Sequence, residues 1–196
     1  VLVGFGAKAG AFPLHIWLPT AHPAAPAPAS AVLSGVITKT GIYGVLVLST
    51  TVFLHDKQWG MLLAVLGAVT MVLGAVLAVL SVDLKRTLAC SSISQIGFIL
   101  VGTAMLCLLG EHNALAVDGT ILHILNHSLI KMVLFPAAGI IHLTTHSFDL
   151  NDIRGFGRGK PLLAPVMGMP MLSLAGAPGL NGYVSKTLLH ESIAVS

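Results

Sequence analysis

The stretch 115–145, LAVDGTILHILNHSLIKMVLFPAAGIIHLTT, is long and apolar enough to cross a membrane, yet it carries titratable side chains near its middle. A membrane-spanning helix needs about 20 predominantly apolar residues. His123, His127 and Lys131 recur every four residues, so they share one helix face and rise about 6 Å per step. Because a lysine at the centre of a span costs about 2.5–3.5 kcal/mol on the insertion scale, such residues are usually functional.

The composition of the whole chain indicates an integral membrane protein. Its 196 residues are 55% hydrophobic and only 9% charged, and the mean hydropathy is +0.92. Soluble domains carry about 25% charged residues. The net charge of +3 is too small and dispersed to indicate a nucleic-acid partner. Cys90 and Cys107 are too far apart along one predicted helix for a disulfide or a metal clip.

Apolar runs predict an all-α, polytopic transmembrane helix bundle that forms a single domain over 1–196. About six spans are expected, at 1–18, 29–54, 59–81, 88–109, 115–145 and 161–196. The sequence starts apolar without Met and ends soon after Lys186, so we expect an internal fragment of a longer protein. The loops 19–28, 82–87 and 146–160 lie on one side and hold five of the six loop Lys and Arg, which predicts that they are cytoplasmic.

Proline and glycine interrupt the first and last spans. Pro13 follows Lys8, and Gly176-Ala-Pro178-Gly179 precedes Lys186. Broken helices persist in membranes only where protein or a water-filled cavity satisfies the freed backbone groups. Interrupted segments at matching positions of two halves are typical of inverted-repeat transporters. We therefore predict broken helices and an inverted-repeat fold.

The stripe of His123, His127 and Lys131 is interpreted as a proton pathway. A neutral imidazole can accept a proton on one nitrogen and release one from the other. Low dielectric disfavours the charged ammonium, so Lys131 can exchange its proton. The alternative is a packed histidine pair bonded to backbone, with a lysine tied to a carboxylate. Paired histidines could also ligate zinc or haem, but no third ligand is evident for zinc.

Three further lysines lie within apolar segments. Lys39 is too deep in its span to reach the headgroups, and Lys8 and Lys186 flank the two breaks. Glu191 is a possible salt-bridge partner that would make Lys186 structural.

The polar residues at the start of span 88–109 are interpreted mainly as structural. Asp83-Leu-Lys-Arg86 is read as a cytoplasmic anchor and helix start. Ser91, Ser92, Ser94 and Gln95 are read as helix-packing residues, with a hydrated path as the less favoured use.

Five ordered motifs are similar to those of the antiporter-like membrane subunits of respiratory complex I and its relatives, the membrane-bound hydrogenases, formate hydrogenlyases and multisubunit Na⁺/H⁺ antiporters. They are GAKAGAFPLHIWLPTAH at 6–22, KTGIYG at 39–44, DLKRTLACSSISQIG at 83–97, HILNHSLIK at 123–131 and GAPGLNGYVSK at 176–186. The stretch that begins at His22 resembles the hydrogenase-type members most.

The resemblance implies two linked half-channels and a role for each lysine. Lys8 matches the lysine of the first broken helix, Lys39 the connecting residue, Lys131 the central lysine and Lys186 the exit-side residue. His123 and His127 match the channel histidines. The glutamate that pairs with the first lysine in the family belongs to an earlier helix outside this sequence. Ser34 stands where some members carry a histidine, a role we expect Lys39 to take.

The predicted function is therefore proton translocation along Lys8, Lys39, His123 or His127, Lys131 and Lys186, within a redox-driven complex. We expect no cofactor in this chain, with redox chemistry in a peripheral arm, other membrane subunits and the lipid bilayer as partners, and a bacterial or archaeal inner membrane as the location. Na⁺/H⁺ exchange is the main alternative. A bis-histidine haem electron carrier and a purely structural subunit are remoter ones.

Overall fold

The computed structural model describes residues 1–109 and 114–194, and it confirms the all-α prediction. In these ranges the helices are α1 Leu2–Ala9, α2 Trp17–Ala24, α3 Ala27–Val32, α4 Thr38–Thr51, α5 Lys57–Val79, α6 Leu84–Leu108, α7 Ala114–Thr145, α8 Leu163–Ala175 and α9 Asn181–Ala194. A π-helical turn, Leu33–Ile37, joins α3 to α4. Four helical stretches are long and apolar enough to span a membrane: Ala27–Thr51, Lys57–Val79, Leu84–Leu108 and Ala114–Thr145.

Aspartates begin two of the long helices. The Asp56 carboxylate accepts hydrogen bonds from the backbone N–H groups of Gln58 and Trp59 at the start of α5. The Asp83 carboxylate accepts from Arg86 N at 2.7 Å at the start of α6. Such caps satisfy backbone donors that the first turn of a helix leaves open. The predicted helix start at Asp83 is therefore present.

Left-handed glycines end the two short helices that precede the predicted breaks. Gly10 follows α1 with φ 78°, and Gly176 follows α8 with φ 88°. Glycine adopts this backbone conformation without the steric penalty of a Cβ atom. At the first break the Trp17 indole donates to Ala7 O at 2.8 Å. The predicted broken helices are thus confirmed, whereas α7 continues through Pro136.

Three connecting segments meet at one end of the bundle, which we call the bridge end and define by Ala25, Asp83 and Asp149. Asp83 and Asp149 form an isolated antiparallel bridge, and Lys85 Nζ donates to Ala25 O at 2.6 Å. The segments 19–28, 82–87 and 146–160 therefore share a side, as predicted. The stretch 19–28, which we expected to be a loop, is mostly helical. Pro19 and Pro28 lie in the first turns of α2 and α3, where proline is tolerated, and Pro23 lies inside α2 near its end.

Lys85, which belongs to the predicted cytoplasmic anchor, is enclosed at the bridge end. Its side chain is buried, it bonds the Ala25 carbonyl, and its Nζ lies 4.4 Å from the centre of the Phe148 ring. The connecting segments fold over the end of α6 and cover it. Lys85 therefore links α6 to the segments around Ala25 and Phe148.

Helices α5 and α6 approach each other closely through glycines. A Cβ atom added at Gly74 would collide with Ser94 N, and one added at Gly97 would collide with Met71 N. Small residues permit such backbone contact between helices in lipid. This interface fixes the position of α6, whose opposite side carries the polar residues described below.

We expect Gly97→Ala to destabilise the protein by about 1–3 kcal/mol, the range typical of overpacking. The added methyl group has to displace the α5 backbone at Met71. The matched control is Gly168→Ala in α8, where nothing lies within 4 Å of the added Cβ. Thermal unfolding of the purified complex in detergent measures the difference, and equal midpoints for the two variants would contradict the close α5–α6 contact.

Candidate functional site: a buried chain of lysines and histidines

Lys131 is completely buried on α7 and faces α6. Its Nζ donates to Leu88 O at 2.8 Å and to Ser91 Oγ at 2.6 Å. The centre of the Phe135 ring, one turn further along α7, lies 5.9 Å from Nζ. Within the described residues the ammonium is held by neutral oxygens and an aromatic ring. The alternative, in which Lys131 pairs with a carboxylate, is therefore not observed among the described residues.

Lys39 lies beside the π-helical turn. Its Nζ donates to Ser34 O, inside that turn, at 2.5 Å and lies 2.9 Å from His127 Nδ1. Ser34 O also accepts from the Thr38 hydroxyl at 3.1 Å. Single π-helical turns occur frequently at functional sites, because they change which backbone groups are available. Here the turn places one carbonyl and one lysine against the histidines of α7.

Two serines connect Lys39 to Lys131 across the helices. Ser34 Oγ lies 2.8 Å from Ser92 Oγ. Ser92 Oγ in turn donates to Leu88 O at 3.0 Å, the carbonyl that also accepts from Lys131. Hydrogen-bonded groups thus link the two lysines through Ser34, Ser92 and the Leu88 carbonyl.

The two histidines of the stripe stack in parallel. Their ring centroids are 6.5 Å apart and their planes differ by 9°. His123 Nδ1 lies 3.0 Å from Ser185 Oγ on α9, and His123 Nε2 lies 3.0 Å from Gln95 Oε1 on α6. His127 Nδ1 contacts Lys39, while His127 Nε2 has no hydrogen-bond partner among the described residues.

The surroundings of His123 satisfy both of its charge states. Gln95 Oε1 only accepts, so His123 Nε2 carries a proton in either state. In the neutral ring Nδ1 accepts from the Ser185 hydroxyl. In the cation Nδ1 donates to Ser185 Oγ, whose hydroxyl then donates to Gly182 O at 3.2 Å. His123 can therefore bind or release a proton at Nδ1 and keep both of its ring nitrogens hydrogen-bonded.

Lys186 lies where the last segment is broken. Its Nζ donates to Leu174 O, in the last turn before Gly176, at 2.6 Å, and lies 5.1 Å from the centre of the Phe98 ring. The salt bridge that we considered with Glu191 is not formed, because the lysine points at the break. Ser185, the preceding residue, reaches His123 and so connects this break to the histidines.

Lys8 does not join this chain in the described residues. It is exposed on α1, while its neighbour Ala9 is buried against Gly41 of α4. Its predicted acidic partner lies outside the sequence, so its place in the pathway stays a prediction.

Three of the α6 residues interpreted as helix-packing residues also contact the buried chain of lysines and histidines. Ser91 contacts Lys131, Ser92 contacts Ser34, and Gln95 contacts His123. Ser185 was also missed as a contact of the histidines. The spacing of Ser91, Ser92 and Gln95 in the sequence could have indicated these contacts, because it places the three side chains on one face of a helix. Ser94, by contrast, does pack closely, against Gly74.

The fold and the site define an integral membrane protein with broken helices around buried, mutually connected lysines and histidines. The chain belongs to the family described as NADH:quinone oxidoreductase/Mrp antiporter, TM, whose model matches residues 1–195. The family resemblance inferred from the motifs is thereby confirmed.

Relatives with curated names include hydrogenase-4 component B of Escherichia coli, 39% identical over 97% of this chain and 30% of that protein. NAD(P)H-quinone oxidoreductase chain 4 1 of Picosynechococcus sp. is 39% identical and is matched over 100% of this chain and 36% of its own length. The chain thus spans about a third of the length of these relatives.

Solved structures share the fold. The Mrp complex from Dietzia sp. superposes with a TM-score of 0.92 at 30% identity, over 100% of this chain and 35% of the matched chain. The archaeal membrane-bound sulfane sulfur reductase gives a TM-score of 0.87 at 26% identity, over 98% of this chain and 39% of its counterpart. These similarities confirm the antiporter-like fold.

Proposed function

We propose that this chain carries part of the proton pathway in a membrane subunit of a redox-driven complex. The observation that carries the proposal is the series of hydrogen bonds inside the bundle that runs from Lys131 through the Leu88 carbonyl, Ser92 and Ser34 to Lys39 and His127. Buried titratable groups in membrane spans are expensive and usually mark ion or proton routes. Here they are also linked to one another.

Lys39 is the junction of the proposed route. One branch follows the two serines toward Lys131, with water carrying the proton past the Ser34 and Leu88 carbonyls, which accept hydrogen bonds but hold no transferable proton. The other branch leads to His127, His123 and the break at Lys186. Each lysine would alternate between its charged and neutral forms. Positive charges close together disfavour each other, so protonation of Lys39 favours proton release from Lys131 or toward the histidines. Water between the two stacked histidine rings would complete the second branch.

The redox chemistry would belong to a peripheral arm and other membrane subunits, and this chain would hold no cofactor. Relatives named as components of a hydrogenase and of a quinone oxidoreductase support a partner of this kind. The location would be a bacterial or archaeal inner membrane, surrounded by lipid.

Sodium–proton exchange is the second candidate, because the Mrp complex is among the structures with the same fold. Sodium is a hard cation that prefers oxygen ligands. The buried chain instead presents amines and imidazoles, with hydroxyl and carbonyl oxygens already bonded to them, which favours protons. A requirement for sodium in pumping by the whole complex would favour the exchanger.

A haem electron carrier is supported less well by the contacts of the histidines. Both ring nitrogens of His123 and one of His127 already face protein partners. Axial ligation by the pair would require breaking at least one of those hydrogen bonds. The visible absorption spectrum of the purified protein tests this alternative.

The test of the proposed function is Lys131→Ala in the full complex, with Lys131→Met as a variant that keeps the side-chain volume. We expect loss of proton pumping into vesicles while the complex still assembles, because the terminal amine between Leu88 and Ser91 is gone. Lys160→Ala is the control, since Lys160 is exposed and packs on Phe156. Unchanged pumping by an assembled Lys131 variant would overturn the proposal.

A further inference from the structure

His22 is a buried histidine that the pathway described above does not use. It lies on α2 near the bridge end, and its side chain is 0% exposed. Its ring stacks on Phe135, with centroids 4.6 Å apart and planes at 15°. Neither ring nitrogen has a hydrogen-bond partner among the described residues. Buried polar atoms in folded proteins are nearly always bonded to protein or to ordered water, so this ring calls for an explanation.

The position of His22 is intermediate between Lys131 and the bridge end. The Phe135 ring against which it stacks also has Lys131 Nζ 5.9 Å from its centre. The charged groups that act on the imidazole are Lys131 of α7, Lys85 of α6 and Lys39 of α4. Its backbone is fixed by a hydrogen bond from Ser30 Oγ to His22 O at 3.1 Å.

An open cavity begins beside His22 and continues toward the bridge end. The neighbours of the stacked pair, Pro23 and Pro136, both line it. Its polar lining residues are Lys85 and His142, and the remainder is apolar. The ring itself does not line this space, but the residues next to it in sequence do, so His22 is adjacent to a space that lies on the side of the Asp83–Asp149 bridge.

We propose that His22 transfers protons between Lys131 and the bridge end, through water held at its two ring nitrogens. The proposal rests on the proposed function, since it adds an entry to the same route. A proton from water on the bridge-end side would bind one ring nitrogen while the other nitrogen releases its proton toward the neutral amine of Lys131. One proton is transferred in total, and the neutral ring is restored as its other tautomer.

A packing role alone does not explain the choice of histidine at this position. An apolar side chain of similar size would fill the space against Phe135 without burying two unpaired nitrogens. Replacing an unpaired polar group with an apolar one is neutral or stabilising for the fold. The two roles therefore predict opposite results for His22→Leu, which makes the inference testable.

The experiment compares His22→Leu and His22→Gln in the full complex. Assembly, electron transfer and proton uptake into vesicles are measured alongside Lys131→Ala. We expect both His22 variants to assemble and to lose most of their pumping, because neither side chain can relay a proton. His15→Leu is the matched control: His15 is also buried and stacked, on Phe12 with centroids 5.9 Å apart, in the first break. It should keep its pumping.

Three results would overturn the inference. The first is normal pumping by assembled His22→Leu while Lys131→Ala is inactive. This result would remove the role of His22 and leave the proposed function unaffected. The second is an equal loss in His15→Leu, which would trace the effect to the broken segment in general. The third is failure of both His22 variants to assemble, which would show a structural role. Normal pumping in the Lys131 and His22 variants together would instead remove the proposed function.

Discussion

Lys39→Met is expected to abolish proton pumping by the assembled complex and to leave the fold at least as stable as before. Lys39 Nζ contacts both Ser34 O and His127 Nδ1, so its removal separates the Lys131 branch from the histidine branch. Methionine keeps most of the volume without a charge. A lysine inside a span costs about 2.5–3.5 kcal/mol on the insertion scale, and its removal leaves His127 Nδ1 unpaired, which costs about 1–3 kcal/mol. The variant should therefore keep or slightly gain stability while it loses transport.

The measurement pairs a pH-sensitive dye in vesicles with thermal unfolding of the purified complex. Lys57→Met is the matched control, since Lys57 is an exposed lysine at the start of α5. It should pump normally and show little change in stability. Full pumping by Lys39→Met would show that Lys39 is not the junction of the proton pathway. A marked loss of stability in the same variant would show that Lys39 is primarily a structural residue.

The elements of the fold could be predicted because local sequence determines them. Proline and glycine at Pro13 and Gly176 favour a break in a helix, although α7 continues through Pro136. The four-residue spacing of His123, His127 and Lys131 predicts a shared face. The same reasoning predicted which connecting segments share a side, and the contact of Lys85 with Ala25 O agrees with it.

The contacts of the site could not be predicted, because they depend on how helices distant in sequence pack together. Serine in a span is compatible with packing and with a polar path, and the sequence alone does not place Ser34 against Ser92. The contact of Ser185 with His123 likewise joins α9 to α7. The burial of Lys85 could not be predicted for the same reason, since it contacts Ala25 and Phe148, which are distant in sequence.

Ser185→Ala is expected to slow proton transfer by about 10- to 100-fold. The hydroxyl accepts from Nδ1 of protonated His123 and donates to the neutral ring, so its loss leaves one nitrogen unpaired in either state. A hydrogen bond to a charged group contributes about 1.5–3 kcal/mol, and about 1.4 kcal/mol corresponds to a factor of ten in rate. The larger loss should fall on the protonated form, which becomes harder to populate.

Ser192→Ala supplies the matched comparison on the same helix. Ser192 is as fully buried as Ser185, but among the described residues its hydroxyl donates to Leu189 O, at 2.7 Å, and contacts no histidine. Both substitutions remove one buried hydroxyl from α9, so their effects on stability should be similar and their effects on pumping should differ. Equal pumping by the two variants would mean that His123 changes its charge state without help from Ser185. A selective loss in Ser185→Ala would place the hydroxyl within the proton pathway between the histidines and the break at Lys186.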